Sequence, residues 1–287
     1  MADEEEIAGP KKSGSKPDLA TILGIVVAVV GIIGGLLMEG GKIRDVAQVT
    51  AAMIVMGGTM GAVMVSTPIA VLIGAARRLK EVVLDASAPH HDLIEEMIGY
   101  ATKARKQGLV SLEHVAAEIT DPFLRKALNL AVDGADLQEI RKMLELEIAM
   151  AEHQAESEAK VFENAGGYAP TIGIIGAVLG LIQVMKNLAN IEEVGHGIAV
   201  AFVATVYGVG SANLLFLPAA TKIKIRSREE SHRRELILEG VCGVVEGLNP
   251  KLLRIKLEAY VAGRAPSKRA EEAPGTEAGD SPAEAKA

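Results

Sequence analysis

Four long stretches of the chain contain no Asp, Glu, Lys or Arg: Leu19 to Met38, Val46 to Ala76, Asn164 to Met185 and Val194 to Thr221. Each is long enough to cross a bilayer, which takes roughly 20 mostly apolar residues in a helix. The stretches are continuously apolar rather than alternating, and lipid obliges backbone groups to pair within their own segment, so the pattern predicts helices and not barrel strands. Four core helices of a soluble bundle would each carry a polar face, and these stretches show none. The predicted fold is all-α: a polytopic membrane protein with four transmembrane helices and a helical cytoplasmic domain.

Polar sequence separates these runs. The pattern divides the chain into a disordered cytoplasmic tail at 1–17, spans 1 and 2 within 18–76, a cytoplasmic helical domain at 77–163, spans 3 and 4 within 164–221, and a cytoplasmic helical segment at 222–262. Leu137, Ile140, Leu144, Ile148 and Ala151 recur at spacings of three and four, one face of a helix that continues towards the third span. The tail at 263–287 is rich in Pro, Ala, Glu and Gly and poor in aliphatic residues, a composition that predicts disorder.

Composition agrees: 49% of the 287 residues are hydrophobic and none is Trp, which sets the chain apart from an ordinary soluble enzyme. Charge then orients the spans. Lys11, Lys12 and Lys16 precede the first run, Arg77, Arg78 and Lys80 follow the second, and Lys222, Lys224, Arg226 and Arg228 follow the fourth; the two opposite connections hold only Lys42, Arg44 and Lys186. Positive residues stay inside, so both termini are expected in the cytoplasm. The acidic start and the lack of a small-residue cleavage site make the first run an uncleaved anchor. The single cysteine, Cys242, permits no intrachain disulfide and reads as structural. His90 and His91 stand beside Pro89 in an expected loop, and His114, His153, His196 and His232 are scattered, a spacing that fits solvated side chains better than a metal site.

The stretch GGYAPTIGIIGAVLGLI, from Gly166 to Ile182, carries five glycines and a proline. A dinucleotide site would need GxGxxG directly after a strand, and here the spacing is wrong and a spanning run surrounds it. Gly176 and Gly180 form a GxxxG pair, which in lipid marks a close helix-packing face. Pro170 either sits in a first helical turn, where it costs little, or kinks the span. The fourth run supplies Thr205, Tyr207, Ser211 and Asn213, polar groups that lipid tolerates only against a cavity or another helix, and Pro218 near its cytoplasmic end. With no ionisable Asp, Glu, Lys or Arg in any run, a proton or cation crossing here needs a carboxylate from a partner.

The order of two spans, a large cytoplasmic loop, two spans and a tail, with YAPTIGIIGAVLGLI, ATVYGVGSANLLFLP and ARKQGLVSLE, resembles the MotA/PomA family of flagellar motor stator A subunits across about Asp18 to Val261. The resemblance implies an inner-membrane energy converter. In it, a homopentamer surrounds two copies of a MotB/PomB-like B subunit whose transmembrane aspartate carries the ion, and the flow drives torque on a FliG-like rotor switch protein. It assigns rotor contact to Arg105 and Glu113, although His114 stands where some members carry a second acid, and it assigns gating of the ion pathway to Pro170 and Pro218. In sodium-driven members a threonine lies seven residues after the third-span proline, together with one in the fourth span. Here those positions are Ala177 and Thr205, which implies H+ as the transported ion ahead of Na+.

No cofactor, metal or nucleic-acid partner is implied. An ExbB/TolQ-type energiser of outer-membrane processes is the alternative, and the apolar run Val46 to Ala76 speaks against its usual three spans. A membrane enzyme would need a nucleophile, metal cluster or acid pair, and the soluble segments show none recognisable. A structural adaptor remains open if the Pro and Thr residues only pack.

Overall fold

The computed structural model describes residues 16–85 and 90–262. The predicted disorder at 1–15 and 263–287 lies outside the described residues, whereas Lys16–Pro17 does not fit the predicted tail. It forms a two-residue strand, β1, antiparallel to β2 at Leu84–Asp85. Everything else with regular structure among the described residues is helical, and the fold is that of an all-α polytopic membrane protein.

Helix α1 (Leu19–Met38) is the first span, and it buries no residue against the rest of the chain. Asp18 starts it, its carboxylate accepting from the amides of Ala20 at 3.1 Å and Thr21 at 3.2 Å, which satisfies donors that a helix start leaves free. A short α2 (Ile43–Val46) leads to span 2, built from α3 (Val49–Ala52), a π-helical turn at Met53–Gly57 and α4 (Gly58–Ser66). The second apolar run was expected to span from Val46 to Ala76, but the helix stops at Ser66. Pro68 disfavours the helical conformation for its predecessor, and Thr67 is extended at φ −137°, ψ 132°. The chain resumes as α5 (Ile69–Val83), and Val63 of α4 and Ala75 of α5 pack together with Val161 and Ala165.

Helix α6 (His90–Gln107) begins at the histidines expected in a loop; His91 is exposed beside Glu95. It ends at Gly108, whose φ of +84° suits glycine, and a 3₁₀ turn then leads to α7 (Glu113–Glu118). Helix α8 (Pro122–Val132) has Asp121 as its cap and proline in its first turn. These helices enclose the cytoplasmic core with Ile140, Leu144 and Ile148 of α9 (Leu137–Lys186), the face read from the sequence. At 50 residues, α9 runs without interruption from that core through the third apolar run. Its partner α10 (Ile191–Ser211) passes through a π turn at Ala212–Phe216 into α11 (Leu217–Val245), and α12 (Pro250–Ala262) closes the core with Leu253 and Leu257. Cys242 is fully buried there as a free thiol.

With so little packing, α1 is tied down by charge at its cytoplasmic end. The Asp18 carboxylate pairs with Lys222 and, at 3.2 Å, with Arg226, both on α11, and its amide donates to the Val83 carbonyl at 2.8 Å. The hydrogen bond from Lys222 does most to lower the Asp18 carboxyl, to about 2, helped by the Thr21 amide. A carboxyl lowered in the fold stabilises it above its ordinary value near 3.8, and that contribution disappears as pH falls through about 2. Attachment of α1 should therefore be unchanged between pH 5 and 8. Asp18→Asn should raise hydrogen exchange of the first turn of α1 several-fold at neutral pH; unchanged protection there would show that the β1–β2 pairing alone holds the span.

Candidate functional site

Helices α9 and α10 run antiparallel, and each places small residues at matching intervals. Ala169, Gly173, Gly176 and Gly180 on α9 meet Gly197, Ala201, Ala204 and Gly208 on α10, all buried. A β-carbon added to Gly180 would lie 2.7 Å from the Gly197 carbonyl oxygen, one on Gly176 would lie 2.8 Å from the Ala204 methyl, and one on Gly208 would lie 2.6 Å from the Ala169 carbonyl oxygen. No larger side chain fits this seam without parting the helices, and in lipid such backbone approach is a main source of helix association. The sequence reading found Gly176 and Gly180. The signal it missed is the spacing of four, three and four, repeated in both helices.

Rotation along the helix then decides what flanks the seam. Successive residues turn by about 100°, and in two antiparallel right-handed helices the residue after each seam position swings to the same edge. Pro170 follows Ala169, Ala177 follows Gly176, and Thr205 follows Ala204, so these three line one edge. Further along, Leu217 lies over Gly166, where a β-carbon would come within 2.6 Å of its Cδ2, and the next residue, Pro218, is exposed in the first turn of α11. The π turn makes this possible, because its extra residue per turn resets the phase of α11 relative to α10. Span 2 covers the opposite side: Ile54 approaches Gly176, Ile172 packs on Gly58, and the Tyr207 hydroxyl donates to the Val46 carbonyl at 2.5 Å and accepts from the Gln48 amide at 3.3 Å.

Pro170 sits deep inside α9, so the first-turn alternative does not hold. It cannot donate to the preceding turn, and its ring crowds the carbonyl there. The polar groups of the fourth span are satisfied locally. Thr205 donates to the Ala201 carbonyl at 3.2 Å, Ser211 to Gly208 at 3.2 Å and Asn213 to Val209 at 2.9 Å. On the shared edge Thr205 thus supplies a hydroxyl oxygen and Ala177 only a methyl.

Far from that edge, Arg105 in the last turn of α6 and Glu113 at the start of α7 are both exposed. Neither has an ion-pair partner among the described residues. Gly108 breaks the helix between them, so they do not share one helical face. They are instead presented on either side of a corner.

This arrangement has close counterparts. Residues 22–108 match the model of the motility protein A N-terminal region, and 115–236 match that of the MotA/TolQ/ExbB proton channel family. Motility protein A of Helicobacter pylori is 36% identical over 251 residues, covering 88% of this chain and 98% of that one. The chain belongs to the MotA family of flagellar stator A subunits. C. jejuni MotAB superposes with a TM-score of 0.81 at 34% identity, covering 87% of this chain and 98% of its counterpart. The flagellar MotAB stator complex from Bacillus subtilis gives 0.79 at 33%, over 85% and 96%. The match to the motility-specific N-terminal region favours the stator over the ExbB/TolQ alternative.

For this stator subunit the seam makes a direct demand. Gly180→Ala should destabilise the α9–α10 pair by about 1–3 kcal/mol, the usual cost of overpacking. Gly167→Ala, with no atom within 4 Å of the added carbon, should change stability by less than about 0.5 kcal/mol. Thermal unfolding in detergent compares the two, and equal shifts would contradict the seam.

Proposed function

We propose that the chain is the ion-conducting A subunit of an inner-membrane stator, with both termini cytoplasmic, and that it couples proton flow to torque without covalent chemistry. Five copies surround two MotB/PomB-like B subunits, and the ring turns against a FliG-like rotor switch protein. What supports this reading is that helix rotation from the buried seam puts Pro170, Ala177 and Thr205 on one edge of the α9–α10 pair, with Pro218 further along α11, in membrane-spanning runs that hold no carboxylate of their own. An ion passing that edge requires a carboxylate from a second chain laid against it, and the similar solved structures are MotAB complexes. Charged groups at membrane depth are costly unless they face such a protected path.

The ion follows from the oxygens available. Sodium has to trade its water shell for several oxygen ligands, whereas a proton needs one carboxylate and a hydrogen-bonded path. The edge offers the Thr205 hydroxyl and, at Ala177, no ligand. Swimming speed should therefore follow the proton gradient and stay constant when external sodium is removed at fixed pH and membrane potential. Speed that vanishes without sodium would overturn the assignment.

Arg105 and Glu113, exposed at the α6–α7 corner, are the proposed rotor contacts. An exposed charge adds little to folding but steers contact with a complementary surface. Arg105→Glu should reduce swimming speed several-fold with the amount of protein in the membrane unchanged; normal speed at low ionic strength would remove Arg105 from the contact.

A further inference from the structure

Below Pro170, one charged side chain of α9 is almost wholly enclosed. Glu158 is 6% exposed at its side chain, and its carboxylate receives the Arg78 guanidinium from α5 and, at 3.0 Å, the Gln154 amide one turn earlier on α9. The space for it is built by glycine. A β-carbon on Gly74, one turn before Arg78, would lie 2.2 Å from Glu158 Oε1 and 2.8 Å from its Cδ. Two helices thus each contribute an i, i+4 pair, Gly74 and Arg78 facing Gln154 and Glu158, and the pairs interlock.

Stability alone does not account for this arrangement. Desolvating two charges offsets most of their attraction, and an apolar pair of similar shape commonly holds a fold equally well, while removing one partner leaves a buried charge at a cost of several kcal/mol. What the ion pair supplies that an apolar pair does not is register: a shift of either helix along its axis separates the charges. The setting gives register a use. Helix α5 follows span 2 after the Thr67–Pro68 break, and α9 joins the cytoplasmic core to the span that carries Pro170. Glu158 lies twelve residues before Pro170, about 18 Å along the helix.

We propose that Arg78 and Glu158 are positioning residues of the stator, a buried ion pair that pins the cytoplasmic half of α9 to α5 in one register. Movement at Pro170 is then carried into the cytoplasmic domain instead of being lost as sliding between α5 and α9. Neither residue touches the transported ion. The inference rests on the stator assignment for its motility consequence, but the register itself is independent of that assignment.

The experiment uses the full chain assembled with its B subunit, in a Cys242→Ala background that removes the single native thiol, with spin labels on cysteines at exposed Leu79 and Lys160. With labelled subunits diluted among unlabelled ones so that intrachain distances dominate, the parent should give one narrow distance distribution. Arg78→Met combined with Glu158→Met should leave assembly and thermal stability close to the parent, broaden or shift that distribution, and lower swimming speed several-fold. Gly74→Ala, which displaces the carboxylate while keeping both partners, should do the same to a smaller degree. An unchanged distribution in the double variant overturns the proposal, as does failure of that variant to assemble, which would assign the pair to folding. A changed distribution with normal swimming confirms the register and overturns its role in torque. If swimming in every stator variant, including those at Arg105, is normal while the distribution changes, the stator assignment itself fails and the register stands.

Discussion

Helices α9 and α10 meet backbone to backbone, and the geometry of the membrane region depends on that approach. Lipid gives two apolar helices no hydrophobic reason to prefer each other over acyl chains, so their association rests on contact area and on how near the helix axes come. Ala169, Gly173, Gly176 and Gly180 against Gly197, Ala201, Ala204 and Gly208 leave the middle of that contact to backbone and methyl groups, with Val184 closing on Gly197 at one end. Once the seam is set, rotation places the neighbouring residues without further choice. The edge that carries Pro170, Ala177 and the Thr205 hydroxyl is thus a consequence of where the small residues lie.

Irregular backbone accompanies the same helix pair. A proline within a helix leaves a carbonyl without its donor, a defect that membrane helices accept only where a neighbour, a side chain or a cavity compensates. Pro170 follows the seam residue Ala169 on α9, and Pro218 stands in the first turn of α11, where its missing donor costs little. The π turn at Ala212–Phe216 comes immediately before Pro218 and brings Leu217 back over Gly166. A straight α-helix of the same sequence would turn Pro218 to a different side of the pair. The bulge is therefore better understood as a phase correction than as a local fault.

The parts of this architecture that depend on local pattern were legible in the sequence, and those that depend on long-range pairing were not. Uninterrupted apolar runs gave four spans, and the spacing of Leu137, Ile140, Leu144 and Ile148 gave the buried face of α9 and its continuation into the membrane. The second apolar run outlasts its helix because Pro68 holds Thr67 extended, a local effect that is readable in the sequence. Asp18 stands directly before an apolar run, a recognisable helix-cap signal, yet nothing in the sequence connects it with Lys222 and Arg226 some two hundred residues later. Arg78 had been counted only as one of three positive charges that orient the chain. Its partner Glu158 lies in a run of charged and polar residues, where only the fold shows which carboxylate is enclosed.

Packing and charge thus divide the work of holding the spans. The α9–α10 pair is joined along its length by close backbone contact. Span 1 makes no buried contact, and its attachment is concentrated where Asp18 meets Lys222 and Arg226. At the same cytoplasmic border Lys224 of α11 pairs with Glu163 of α9 at 2.7 Å, and Arg78 of α5 with Glu158. Apolar contacts at a membrane surface tolerate sliding, since one aliphatic neighbour serves nearly as well as the next, whereas an ion pair loses most of its attraction within a few ångströms as water enters. A belt of ion pairs at that depth lets the outer spans remain thinly packed in lipid while their register against the central pair stays defined.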